Sequence, residues 1–148
     1  MEKILNYPTM KEIIEINKRL GEGGVLVNRS NLEFILDKAK NVKGIVRKAT
    51  VFLYDIIRLH PFLDGNKRTA FHTMLYFLEL NGIEFKYGHK DETKIEKLLN
   101  RIARKIEKRK DVEKWIERGI RWEKNLKKLW IKTSSNGEGL INGLLLRG

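Results

Sequence analysis

The sequence predicts a mainly α-helical bundle with a short β-hairpin or extended flap, and three observations carry that expectation. Apolar residues recur at three- and four-residue steps through most of the chain, and helix-starting and helix-stopping residues bracket those runs. The main stretch that reads as extended is the glycine-led GEGGVLVNRS at 21–30.

Thr9 with Glu12 forms a capping box ahead of Met10, Ile13, Ile14, Ile16 and Leu20, and Gly21 stops this first helix. Val25, Leu26 and Val27 then suit a flap, the most mobile-looking interior piece. Ser30 with Glu33 repeats the capping box and opens a second helix that fades into KAKNVKG. Ile45, Val46, Ala49, Phe52, Leu53, Ile56, Ile57 and Leu59 define a central helix with a broad buried face, which Pro61 ends near His60. Another strongly apolar helix runs from about Asn66 to the stop at Asn81-Gly82.

Beyond it, the IEF at 83–85 reads as a short extended piece and Asp91 caps a helix over 92–107. Asp111 opens a last helix to about Ile131, whose stripe of Val112, Trp115, Ile116, Gly119, Trp122, Leu126, Leu129 and Trp130 is better explained by core packing than by a ligand. A single domain is expected over 1–131, with 132–148 a loose tail rich in glycine, serine and asparagine and then leucine.

With 148 residues, 41% of them hydrophobic, the chain has material for one domain with a real core. It has no cysteine, which excludes disulfides and thiolate chemistry, and its three histidines offer little for a zinc site. No stretch has the length of a signal-peptide core or a membrane span, so a cytoplasmic protein with no membrane partner is expected. The absence of Gln amid abundant Lys, Glu and Ile resembles proteins from hot environments. Residues 97–132 hold fourteen Lys/Arg against five Asp/Glu. That segment leaves a nucleic-acid or acidic partner open but requires none, since a basic helical surface is more often a solvated face.

The chemistry concentrates in HPFLDGNKRT at 60–69. The first turn of a helix carries unpaired N–H groups and about half a positive charge, so cations at Lys67 and Arg68 are disfavoured by roughly 0.3–1 kcal/mol unless an anion joins them. Phosphate is such an anion, and Asp64 beside it is placed to hold Mg²⁺. His60 suits proton abstraction from a hydroxyl at neutral pH. Phe62 reads as an apolar peg anchoring the loop, and Gly65 as a tight turn or a close approach of main chain to phosphate. The alternative is purely structural: His60 closing one helix, Asp64 and Asn66 capping the next, and Lys67 and Arg68 pointing to water.

The stretch resembles the signature of the Fic/Doc family, H-P-F-x-D/E-G-N-G/K-R, matching at His60, Pro61, Phe62, Asp64, Gly65, Asn66, Lys67 and Arg68. The resemblance implies a Fic/Doc-like helical bundle with the flap before its second helix. Lys67, where nucleotidyl-transferring Fic enzymes carry Gly, and the NKRT spelling look like the Doc branch. The implied activity is a Doc-like toxin that moves phosphate from ATP to a protein Ser or Thr, with a translation factor as the family's kind of target. The alternatives are a Fic-type AMP transferase and, on the basic segment, a non-enzymatic binding module.

By position, the resemblance makes His60 the general base, Asp64 the Mg²⁺ ligand and Gly65, Asn66 and Lys67 phosphate contacts, while Arg68 steadies the transferring phosphate. Val25, Leu26 and Val27 would dock a target peptide by strand pairing. A second Arg found in many Fic enzymes is replaced by Phe71, and SSNGEG at 134–139 fits their inhibitory spelling by chance. Control by an antitoxin in trans is therefore the expectation, and His72 and His89 read as surface residues without a role.

Overall fold

The computed structural model describes residues 4–122, and side chains as far as Ile120. The expectations for Leu126, Leu129, Trp130, the 132–148 tail and SSNGEG lie outside the described residues.

The chain forms α1 (Met10–Arg19), α2 (Arg29–Asn41), α3 (Ile45–Thr50), a π-helical segment (Val51–Asp55), α4 (Ile56–Leu59), α5 (Asn66–Leu80), α6 (Glu92–Ala103) and α7 (Arg109–Gly119). Two short strands, β1 (Ile83–Phe85) and β2 (Ile120–Trp122), pair antiparallel with Phe85 opposite Ile120. The mainly α architecture is the one the sequence predicts.

The Thr9–Glu12 capping box starts α1, with Thr9 Oγ1 accepting from the Glu12 N–H and Glu12 Oε1 accepting from the Thr9 N–H. Helix α2 begins elsewhere than expected. Its cap is Asn28, whose Oδ1 accepts from the Asn31 N–H at 3.3 Å and from Ser30 Oγ at 2.9 Å, while Glu33 pairs with Arg29. The reason lies in the flap, where Val27 N and Asn28 N both donate to Pro61 O and so turn the chain into the helix at Asn28.

The central helix is present from 45 to 59 but changes to π geometry over Val51–Asp55. Asp55, only 4% exposed, faces a fork from Arg109, with Nη1 to Oδ2 at 3.0 Å and Nη2 to Oδ1 at 2.6 Å; Lys38 Nζ adds a contact at 3.3 Å. This ties α7 and α2 to the π segment. Lys48 is also inside, donating to Ala39 O and Lys40 O at the end of α2.

Helix α5 is the axis of the fold. Every residue from Thr69 to Leu78 is buried, which suits a helix apolar on all sides. Phe52 and Tyr7 pack on Phe77, with ring centroids 5.2 and 5.6 Å away. Its N-terminus reaches the surface, and that is where the motif lies.

Two expectations fail at the C-terminal side. Helix α6 stops at Ala103 rather than 107, with Lys105 left-handed at φ 63°. Helix α7 stops at Gly119 rather than continuing to Ile131. Gly119 lies against Phe85, where an added Cβ would come within 2.1 Å of Cε2, and the chain there turns extended to pair with β1. Among the described residues, no helix is long and apolar enough to cross a membrane.

Asp55→Ala should destabilise the fold by about 3 kcal/mol in urea unfolding, at the low end for breaking a buried pair because Arg109 keeps 35% of its side chain in water. A loss below about 1 kcal/mol would show that the Asp55 ion pairs do not hold α7 in place.

Candidate active site

The loop from His60 to Gly65 joins α4 to α5, and its path is set by main-chain and asparagine contacts. Asn31 Nδ2 donates to Leu59 O at 2.6 Å, fixing the end of α4. His60 follows in the left-handed region, φ 52° and ψ 57°, its N–H donating to Ile56 O. Phe62 is fully buried, as the peg reading requires.

Asn66 neither caps α5, whose cap position is Gly65 and which has no side-chain cap bond, nor offers its amide to a ligand. Its Oδ1 accepts from the Phe62 N–H at 2.9 Å and its Nδ2 donates to Phe62 O at 2.8 Å, so this buried side chain clasps the loop rather than facing a ligand. Only the Asn66 N–H faces the helix end. Gly65 precedes it at φ 75°, where the side chain of Glu22 lies so close that an added Cβ would meet Glu22 Cγ at 2.3 Å.

The first intrahelical bond of α5 runs from Thr69 N to Gly65 O. The N–H groups of Asn66, Lys67 and Arg68 have no partner among the described residues. Around this positive end stand His60, Asp64, Lys67 and Arg68, all exposed. The imidazole of His60 and the carboxylate of Asp64 make no hydrogen bond or ion pair with described residues, so both remain open for a ligand. A cavity of about 350 Å³ is lined by His60, Leu63, Asp64, Gly65, Lys67 and Arg68, among others.

The two cations have partners. Lys67 Nζ donates to Asn100 Oδ1 of α6 at 2.7 Å. Arg68 Nη1 lies 3.3 Å from Glu22 Oε1 and 3.4 Å from Leu20 O. Glu22 thus supplies a carboxylate beside the guanidinium at the mouth of the site.

The flap is extended rather than a hairpin. Leu26 forms an antiparallel bridge with Phe62, while Val27 N donates to Pro61 O and Val25 O accepts from Leu63 N, both at 2.9 Å. In this register the Leu26 N–H and C=O point away from the loop. Val25 and Val27 are 49% and 56% exposed, and Leu63 beside them 56%.

The sequence reading passed over several residues. Asn17, fully buried, donates from Nδ2 to Asp64 O at 2.9 Å and to Thr69 Oγ1 at 3.0 Å, and its Oδ1 accepts from the Gly24 N–H at 2.8 Å. It links α1, the flap, the loop and α5. Its signal was an asparagine on the apolar face of α1, beside Ile13, Ile16 and Leu20. His72 is not a surface residue as expected but 5% exposed, because α5 is enclosed all round, while His89 is exposed as expected. Phe71, in the place of a second Arg, packs edge-on against Tyr87 at 5.4 Å.

Residues 7–78, which run from just before α1 through the flap and the loop to the last turn of α5, match the model of the Fic/DOC family. This segment belongs to that family. Within the chain, 56 residues are 38% identical to a protein named Toxin Doc from Mycolicibacterium smegmatis (strain ATCC 700084 / mc(2)155). The match takes in 38% of this chain and 42% of that toxin, so the shared stretch is less than half the length of either.

Two outcomes test the electrostatics. Burial, and then the charge of Arg68, lower the pKa of His72 from 6.5 to about 4, so the unfolded chain takes up this proton before the folded one does. Stability should be complete above pH 6.5 and fall as the pH drops from 6.5 towards 4, by up to about 3 kcal/mol, with His72→Phe removing that part of the slope in urea titrations. Glu22→Gln should strengthen inorganic phosphate binding about threefold by calorimetry, as expected for freeing Arg68 from an exposed pair. Weaker binding in that variant would show that Glu22 helps build the anion site.

Proposed function

We propose that this chain is a Doc-like toxin that transfers the terminal phosphoryl group of ATP to a Ser or Thr hydroxyl of a protein, with a translation factor as the target class and an antitoxin acting in trans. The observation that carries this reading is the open positive end of α5, with its free N–H groups, framed by the exposed side chains of His60, Asp64, Lys67 and Arg68. The family match over 7–78 and the partial likeness to Toxin Doc support it.

In this reading His60 Nε2 or Nδ1 takes the proton of the target hydroxyl as its oxygen attacks the γ-phosphorus, and the bond to the β–γ bridging oxygen breaks to release ADP. The N–H groups of Asn66, Lys67 and Arg68, with the Arg68 guanidinium, hold the charge on the transferring oxygens. For the guanidinium to do so it must leave Glu22. Asp64, an unpaired exposed carboxylate beside the helix end, fits a single-oxygen Mg²⁺ contact. Bound Mg²⁺ would supply charge neutralisation between the phosphates.

The outward N–H and C=O of Leu26 would accept an extended target segment as an added strand, and Val25, Val27 and Leu63 would cover its side chains. This would bring a target hydroxyl beside the loop that carries His60, because the flap is bonded to that same loop.

The chain incubated with a lysate of its source organism should transfer label from γ-labelled ATP to a protein, and His60→Ala should reduce the rate by about 10²–10⁴-fold. Label arriving only from the α position would assign AMP transfer instead. Full labelling by His60→Ala would sink the assignment of His60.

A further inference from the structure

The turn between α6 and α7, residues 104–108, departs from local rules in two ways. Lys105 N–H donates to Ile102 O and Ile106 N–H to Arg101 O, both at 3.0 Å, the pattern by which a helix ends on a left-handed residue. That position favours Gly or Asn, yet Lys105 holds it at φ 63°. The residue after it often lays an apolar side chain back on the last turn of the helix. Here the positions that would receive Ile106 are Asn100 and Arg101, and Ile106 is left 56% exposed.

Arg104, Lys105 and Lys108 flank Ile106 in the chain, all of them exposed and in no ion pair among the described residues. The carboxylate of Glu107 is taken by Arg101, 2.7 Å from its Nε, and the next carboxylate along the chain is Asp111 in the first turn of α7. The turn is held from beneath. Tyr54 Oη donates to Glu107 O at 3.1 Å and accepts from Arg58 Nη1 at 2.8 Å, and Arg109 is fixed by its fork on Asp55. A strained turn with an uncovered apolar tip and three uncompensated cations is thus preformed, which lowers the ordering cost of binding.

This turn adjoins the candidate active site. Ala103, the last residue of α6, lines the same cavity as His60, together with Ile57. A protein that covers about 800 Å² of this chain while bringing a hydroxyl to His60 spans a patch of roughly 16 Å radius, and so reaches a turn that starts one residue past the cavity wall.

We propose that the 104–108 turn is a second docking point for the protein substrate, taking an acidic segment that carries an apolar side chain among its carboxylates. Ile106 covers the apolar side chain while Arg104, Lys105 and Lys108 meet the carboxylates. The inference rests on the reading of the His60 loop as the site of transfer to a protein hydroxyl, and adds the character of the segment which that protein presents beside it. Exposed ion pairs contribute little one by one, so the cations chiefly select and orient the segment and the burial of Ile106 holds it. A nucleic-acid strand would match the cations but set its phosphates against Ile106, which gains nothing.

Initial rates of label transfer from γ-labelled ATP, in a lysate of the source organism at several dilutions, test the proposal. Arg104→Ser, Lys105→Ser and Lys108→Ser combined should lower the rate at high dilution at least tenfold and Ile106→Ser alone at least threefold, while inorganic phosphate binding by calorimetry in about 0.15 M salt stays within threefold. Lys40→Ser, Lys43→Ser and Arg47→Ser combined, exposed cations around the junction of α2 and α3, remove the same charge elsewhere and should change the rate less than twofold. An unchanged rate in either turn variant, or an equal loss in that control, overturns the proposal. So does a loss that disappears once the lysate is treated with ribonuclease, which would mark an RNA partner. Backbone amide shifts read the surface independently of transfer: a Glu-rich peptide with one central Leu should move the signals of 104–108 in the unaltered chain, and the same peptide with Gln for Glu should not. No shift there overturns the docking surface whatever the rates, whereas shifts without any label transfer overturn the transferase reading and leave the docking surface standing.

Discussion

The two hydrogen bonds between the Asn66 side chain and the main chain of Phe62 close the loop into one shape, and much of the site depends on that closure. With Phe62 sealed in the core and its N–H and C=O both satisfied, the residues on either side have little freedom. His60 is forced outward on one flank, and on the other the chain enters α5 with its first N–H groups open. The flap hangs on the same loop through Pro61 and Leu63, so loop, flap and helix start behave as one piece. Asn17 secures that piece to α1.

The electrostatics show why net charge is a poor guide to this protein. Lys48 is buried as the cap of α2, and Lys38 and Arg109 neutralise Asp55, so these cations serve the fold. At the site, Arg68 rests against Glu22 and Lys67 against Asn100. The positive end of α5 is therefore partly balanced by its own neighbours, and an anion bound there as proposed would have to compete with Glu22 for Arg68.

How much of this was legible in the sequence differs by residue. The helices, the α1 capping box and the HPFLDGNKRT loop were readable because caps, periodicity and misplaced cations are local signals. Asn66 was not, because a polar residue opening a helix can serve a ligand or the main chain equally well, and only the position of Phe62 decides between them. His72 was misread because a helix buried on all faces has no polar side by which an interior histidine could be told from an exposed one. The end of α7 was missed because its apolar pattern continues, whereas the close approach of Gly119 to Phe85 is a contact between distant segments. The π segment differs from regular helix by a shift in bonding that residue type does not report.

The left-handed backbone at His60 bears on how such a protein changes over generations. A side chain other than Gly, Asn or Asp in that conformation is strained by about 1–2 kcal/mol. Exchange of His60 for Gly or Asn would relax the loop, so a protein that has lost its imidazole should unfold at a higher midpoint than one that keeps it. For the fold alone, loss of the imidazole is the downhill direction, so under the proposed function the histidine would persist only where its role as a base is selected.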